Sequence, residues 1–222
     1  MNNATGKRLT DMYRCLKDHF GSQNWLPAES DFEVMVGAVL TQNTNWKNVE
    51  QAIDHLKNSG LLSFRALHDV PVSELALKIR SSGYYNIKAK RLKNLLDFLW
   101  EHVGEDLSAL SREDTQTLRA GLLSVKGIGP ETADSILLYA ARRPVFVIDA
   151  YTHRILHRHG MVGEQTDYHE LQALFMDSLP EDVPLFNEFH ALIVKTGKHF
   201  CRRTPLCHKC PLADWGPIHR RD

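Results

Sequence analysis

The stretch Leu122-Leu123-Ser124-Val125-Lys126-Gly127-Ile128-Gly129-Pro130-Glu131-Thr132-Ala133 is the most informative part of this 222-residue chain. Apolar positions at Leu118, Leu122 and Leu123 predict a helix that runs into a short hairpin with two glycines. Glycine reaches backbone conformations closed to other residues and lets the chain approach another surface closely. Proline at a first helical position loses no needed N–H, so a second helix is predicted from Pro130. The product is a tight helix–turn–helix whose backbone N–H groups and second helix start point outward together. Such a nest binds an anion, typically a phosphate, without a basic side chain. A plain corner between two helices has the same local pattern, so the rest of the chain must distinguish them.

Outward from the hairpin the pattern stays helical. Three- and four-residue spacing predicts amphipathic helices over 8–20, 31–42, 45–58 and 86–103. Shorter ones fit 63–69 and 72–81, the latter ended by Ser82-Gly83. Ser30 or Asp31 suits an N-cap, and Gly60 a stop. In 86–103 the apolar stripe is read as Ile87, Leu92, Leu95, Leu96 and Leu99, with Lys88, Lys90, Arg91 and Lys93 between. Only Val145 to Ile148 looks strand-like, and it is too short and isolated to build a sheet. An all-α protein is predicted.

Composition sets outer limits. Lys plus Arg and Asp plus Glu each number 27, and 43% of residues are hydrophobic, as in an ordinary globular protein. A disordered chain and a heavily basic nucleic-acid coat are excluded. The longest apolar run, Val34 to Leu40, falls short of the roughly 20 residues that a membrane-spanning helix needs. The first residues lack the apolar core of a secretory signal, so a cytoplasmic protein is expected. The neutral total hides an uneven distribution. Residues 195–222 carry seven Lys or Arg against Asp214 and Asp222, leaving the rest of the chain acidic. A zero sum can therefore contain a basic face.

Downstream of the hairpin stands Val145-Phe146-Val147-Ile148-Asp149-Ala150-Tyr151-Thr152-His153-Arg154. Four apolar residues deliver one carboxylate to a helix start. As a cap alone, Asp149 contributes about 1 kcal/mol. As a functional group, it is a carboxylate fixed beside a phosphate-gripping hairpin.

The two stretches in this order, with Val39-Leu40-Thr41-Gln42-Asn43-Thr44 before them and a cysteine cluster after, resemble the helix–hairpin–helix glycosylase superfamily, whose best-known branch is endonuclease III. The resemblance covers most of the chain. It implies two helical lobes. A six-helix barrel domain spans about 30–142, with the helix–hairpin–helix at about 116–141. Residues 1–29 and 143–222 form the other lobe, and hairpin and catalytic aspartate flank a cleft. It implies a monomeric base excision repair enzyme whose partner is double-stranded DNA with a damaged base, and no membrane. Val125, Lys126, Gly127, Ile128, Gly129 and Thr132 become the expected phosphate contacts, and Asp149 the catalytic residue.

Members that also cut the strand use a lysine amine two residues after the second hairpin glycine, where this chain has Glu131. A carboxylate cannot form the Schiff base, so a monofunctional glycosylase without lyase chemistry is expected. Gln42 matches the family's wedge position, with Asn43 beside it; the alternative for Gln42 is a helix-terminal cap. Trp25 and Trp46 precede the first barrel helix and open the next, as candidate walls for a flipped base. Electron-rich rings attract a cationic base most, and with Asp149-x-Tyr151 the pattern is similar to 3-methyladenine DNA glycosylases of the endonuclease III-like type. Expected substrates are alkylated purines. The alternatives are a glycosylase for oxidised or mismatched bases, and a non-catalytic damage-binding iron–sulfur module.

In endonuclease III relatives a comparable cysteine loop holds a [4Fe–4S] cluster through four thiolates. Cys201, Cys207 and Cys210 match three positions, and the fourth falls on Gly216. Cys15 matches no family ligand. His208, Asp214, His219 or an external group are candidate replacements, and a Cys₃His zinc site or a loop without metal are the other readings. In every case the loop presents Arg202, Arg203 and Lys209 to the phosphate backbone.

Overall fold

A computed structural model describes residues 3–23, 25 and 28–216. Among them every regular element is helical, as the spacing requires. The chain divides into two compact units, one of Ala28–Arg143 and one of Met1–Pro27 with Pro144–Asp222.

In the Ala28–Arg143 unit the helices are α2 (Asp31–Leu40), α3 (Trp46–Asn58), α4 (Phe64–Asp69), α5 (Val72–Lys78), α6 (Tyr85–Val103), α7 (Thr115–Ser124) and α8 (Pro130–Ser135). Their starts are local chemistry: Ser30, Asn45, Ser63 and Asp114 each accept a backbone N–H from the first turn. Chain continues from α8 into a wider π-type turn, Ile136–Ala140, which packs on α2. Val36, Val39, Leu56, Leu92, Leu96, Leu99 and Leu137 have no exposed surface and form the core. Each such side chain is worth about 1.5–3 kcal/mol against exposure.

One position in this core corrects the sequence reading. Ile87 is 51% exposed and Lys88 is buried, so the inner stripe of α6 begins with the lysine. Helix α6 starts at Tyr85 from a left-handed Tyr84, which sets its rotation. Lys88 Nζ then donates to Leu40 O at 2.7 Å and Ser82 O at 2.6 Å. Both carbonyls belong to the last turns of helical segments, whose acceptors have no partner within the helix. Burial, aided by the Arg91 charge, lowers the Lys88 pKa to about 8.

The other unit contains α1 (Asn3–Phe20), α9 (Ala150–Arg158), α10 (Tyr168–Met176) and α11 (Val183–His199). Helix α1 begins five residues before the predicted start at residue 8. Helix α11 packs on α9 and α1. Gly197 makes the first contact close, because a Cβ there would stand 2.3 Å from Tyr151 Cδ1. Residues 145–148 are buried and extended without a sheet ladder among the described residues. Their polar groups go to side chains instead: Phe146 O accepts from Gln172 Nε2 at 2.8 Å, and Phe146 N donates to Met176 Sδ. The Phe146 ring stacks on Phe175 at 3.8 Å and meets Phe186 and Phe189 edge-on.

Candidate functional site

The hairpin is built as its residues dictate. Val125 caps α7, Ile128 N donates to Val125 O at 3.0 Å, and Pro130 is the first residue of α8. Val125 and Ile128 are buried, which pins the loop while Lys126 and Gly127 stay outside. Gly127 has φ +100, a conformation that L side chains rarely adopt, and a Cβ there would lie 2.3 Å from Arg91 Cγ. Gly129 has φ −95, and a Cβ there would meet nothing within 4 Å. The first glycine is thus required by the turn, and the second leaves open surface. Arg119 locks α7 to α8 through two bonds to the buried Asp134, at 2.7 and 3.0 Å.

Gln42 is drawn into this hairpin. Its Nε2 donates to Gly127 O at 3.1 Å and Thr132 Oγ1 at 3.0 Å, while Oε1 accepts from Arg91 Nη1 at 2.5 Å. Asn94 Nδ2 donates to Lys126 O at 2.8 Å. The sequence places Arg91 only among the polar residues between the apolar positions of α6, since nothing in its spacing reveals a distant hairpin. Asn43 is exposed and left-handed, with φ 54, at the tip of the loop after α2. Glu131 is exposed in the first turn of α8. Trp46, the first residue of α3, is half-buried with its ring against Gly37 of α2.

In the other unit Asp149 is the cap that the sequence offered, and it keeps one oxygen outside the cap. It is the N-cap of α9, with Oδ1 accepting from Thr152 N at 2.7 Å and Thr152 Oγ1 at 2.8 Å. Oδ2 faces His190 Nε2 of α11 at 3.7 Å. Burial pushes the Asp149 carboxyl upward, but His190 and the two Thr152 donors outweigh it and hold its pKa below the ordinary carboxylate value. The result is a nearly buried carboxylate that keeps its charge. His190 lies in a helical stretch whose periodicity marks it only as an inward position. In this unit too, Trp25 is half-buried with Lys198 Nζ 5.7 Å from its ring centre, and Tyr151 lies under the Arg154 guanidinium.

Cys201, Cys207 and Cys210 line one hollow. Ile155, Phe200, Pro205, Leu212 and Ala213 supply apolar walls, and His159 and Arg158 also reach it. Arg158 Nη1 donates to Cys201 Sγ at 3.2 Å. Burial, and the neighbouring Cys201, Cys207 and Cys15, push the Cys210 thiol up against an opposing bond from the Leu212 backbone. Cys15, remote in sequence, is therefore close in space, and its Sγ donates to Pro211 O at 3.2 Å. His208 and Asp214 are exposed and do not line the hollow, and His219 falls outside the described residues. Among the described residues no three donors stand close enough to share one ion. Three thiols around an apolar space fit the edge of an iron–sulfur cluster better than a single zinc ion, whose ligands must converge at about 2.3 Å. Arg202, Arg203 and Lys209 are exposed on this loop.

Residues 36–181 match the family described as the HhH-GPD superfamily base excision DNA repair protein. A protein of Methanocaldococcus jannaschii named as a DNA repair glycosylase is 49% identical over 205 residues, covering 92% of this chain and 93% of the relative. Among solved structures, H. pylori 3-methyladenine DNA glycosylase bound to 1,N6-ethenoadenine aligns with a TM-score of 0.74 and 32% identity, over 86% of this chain and 97% of that one. A trapped endonuclease III–DNA covalent intermediate shares the fold, with a TM-score of 0.80 at 21% identity over 95% and 94% of the two chains. On these matches the chain belongs to the HhH-GPD superfamily of base excision DNA repair glycosylases.

Proposed function

We propose that the protein is a monofunctional DNA glycosylase that hydrolyses the N-glycosidic bond of an alkylated purine, such as 3-methyladenine, in double-stranded DNA. The observation that carries this reading is Asp149, buried yet held ionised by Thr152 and His190. Breaking the glycosidic bond builds positive charge on the sugar, which a fixed carboxylate in a poorly hydrated place stabilises. The same oxygen can orient or deprotonate the attacking water. Glu131 occupies the position at which lyase members carry lysine, so no amine stands ready for a covalent intermediate there. The hairpin Val125–Gly129 with Thr132 grips phosphate, and Asn43 or Gln42 fills the space that the flipped base leaves.

The aromatic residues support the substrate class. Trp25 and Trp46 are the candidate aromatic contacts, and an alkylated, cationic purine gains most from an electron-rich ring. The H. pylori relative, at 32% identity, is a 3-methyladenine glycosylase bound to a modified adenine. Such a base leaves readily, so little leaving-group activation is required. The protein acts as a cytoplasmic monomer in this reading. A cluster in the cysteine loop would supply architecture rather than chemistry, by fixing Arg202, Arg203 and Lys209 for the phosphate backbone.

The test is a panel of duplexes carrying methylated adenine, oxidised pyrimidine or a mismatch. Free methylated base should be released, with strand breaks only after alkali. Asp149→Asn should lower release at least about 100-fold with duplex binding kept, because asparagine still caps α9. A borohydride-trapped adduct, or release confined to oxidised or mismatched bases, overturns the reading.

A further inference from the structure

The cysteine loop lacks its fourth thiolate at 216, and the backbone explains why none could simply be restored. Gly216 has φ +91, which a side chain strains to adopt, and a Cβ there would meet Arg8 Nη2 at 3.6 Å. Arg8 is itself fixed, donating to His159 O at 2.9 Å and Trp215 O at 3.2 Å. Arg8 on α1 is thus an ordinary van der Waals neighbour of that position, and the strain lies in the Gly216 backbone.

The same bond leads to a replacement. His159 caps the end of α9, is 6% exposed, and belongs to the wall of the hollow that Cys201, Cys207 and Cys210 share. Its Nδ1 is buried without a hydrogen-bond partner. An imidazole nitrogen in that condition costs stability unless something binds it. Nδ1 is therefore the ring nitrogen that a ligand can satisfy.

We propose that a [4Fe–4S] cluster fills this hollow with Cys201, Cys207 and Cys210 as three ligands and His159, through Nδ1, as the fourth. The thiols surround a space instead of converging on a point, which suits a cluster. Histidine replaces cysteine on iron–sulfur centres elsewhere, where it raises the potential. Arg158 completes the environment by donating to Cys201 Sγ, the hydrogen bond that a cluster thiolate accepts. Cys15 is the rival, but its Sγ is turned to Pro211 O and it is not part of the wall. The assignment stands whichever base the enzyme releases.

The full chain, purified without oxygen and reconstituted with iron and sulfide, should hold about four irons and absorb near 400 nm. Labelling with ¹⁵N-histidine should give a nitrogen hyperfine coupling to the reduced cluster. His159→Cys should keep the iron and lose that coupling, and His159→Ala should lose most of the iron while its helical spectrum is retained. Reconstituted protein without iron, or with one zinc, overturns the cluster and leaves base release unaffected. A cluster with no ¹⁵N coupling, or one abolished by Cys15→Ala or His219→Ala while His159→Ala retains it, overturns His159 as the ligand.

Discussion

His190 Nε2 and Asp149 Oδ2 stand 3.7 Å apart, with both side chains nearly buried. The carboxylate uses its other oxygen to cap α9, so one residue both fixes the helix start and keeps an oxygen for His190. His190 opposes the upward push of burial on Asp149. Replacing it by phenylalanine should raise the Asp149 pKa and move the acid limb of kcat/KM to higher pH. His190→Gln, which still donates, should lie between the two. An unmoved acid limb would show that His190 does not act on Asp149. The depressed value also stabilises the fold above the ordinary carboxylate range, and that contribution is lost as pH falls through the folded pKa.

The two hairpin glycines should separate folding from binding. Gly127→Ala meets both a positive φ and Arg91, and should cost about 1–3 kcal/mol in urea unfolding. Gly129→Ala has room and an ordinary φ, and should cost under about 1 kcal/mol. Its effect should appear on DNA binding, where the added Cβ keeps a phosphate from the hairpin amides and weakens duplex affinity by about tenfold or more. Equal affinity for Gly129→Ala and wild type would remove this face from the interface.

Gln42 and Arg91 act as one unit with the hairpin. A double-mutant cycle with Gln42→Ala and Arg91→Ala should show coupling of about 0.5–3 kcal/mol in unfolding free energy. Strict additivity would show that the bond between them adds nothing. If Gln42 leaves this network to enter DNA, Arg91→Ala should tighten duplex binding relative to its effect on stability, since the bond no longer has to break.

Lys88 gives a signature at high pH. Its folded pKa of about 8 is below the 10.5 of the free side chain, so the unfolded chain binds more protons between those values. Stability of the wild type relative to Lys88→Met should therefore rise from pH 8 to 10.5, by up to about 3 kcal/mol. Below pH 8 the difference should be flat. A relative loss with rising pH would mean that the two carbonyl bonds hold the ammonium charged throughout.

What was legible in the sequence acts over a few residues. Helix spacing, the Ser30 cap, the two-glycine hairpin before Pro130 and Asp149 at a helix start all follow from groups within one turn of each other. The sequence places Asp149 at the cap but cannot show that its second oxygen stays outside the cap and faces His190. The α6 stripe shows the opposite limit. Leucine spacing identified the buried face from Leu92 to Leu99, but polarity misplaced its first residue. A lysine goes inside when two carbonyls wait there, and those come from Leu40 and Ser82.

By itself, then, the sequence determined an all-helical chain with a two-glycine hairpin, one aspartate at a helix start and three grouped cysteines. Tertiary structure alone decided their partners: His190 for Asp149, Arg91 and Gln42 for the hairpin, and His159 with Cys15 around the cysteine loop. The reason is physical. Capping and periodicity are short-range, set by backbone geometry within four residues, whereas charge state and ligand sets depend on groups that only packing brings within a few ångströms.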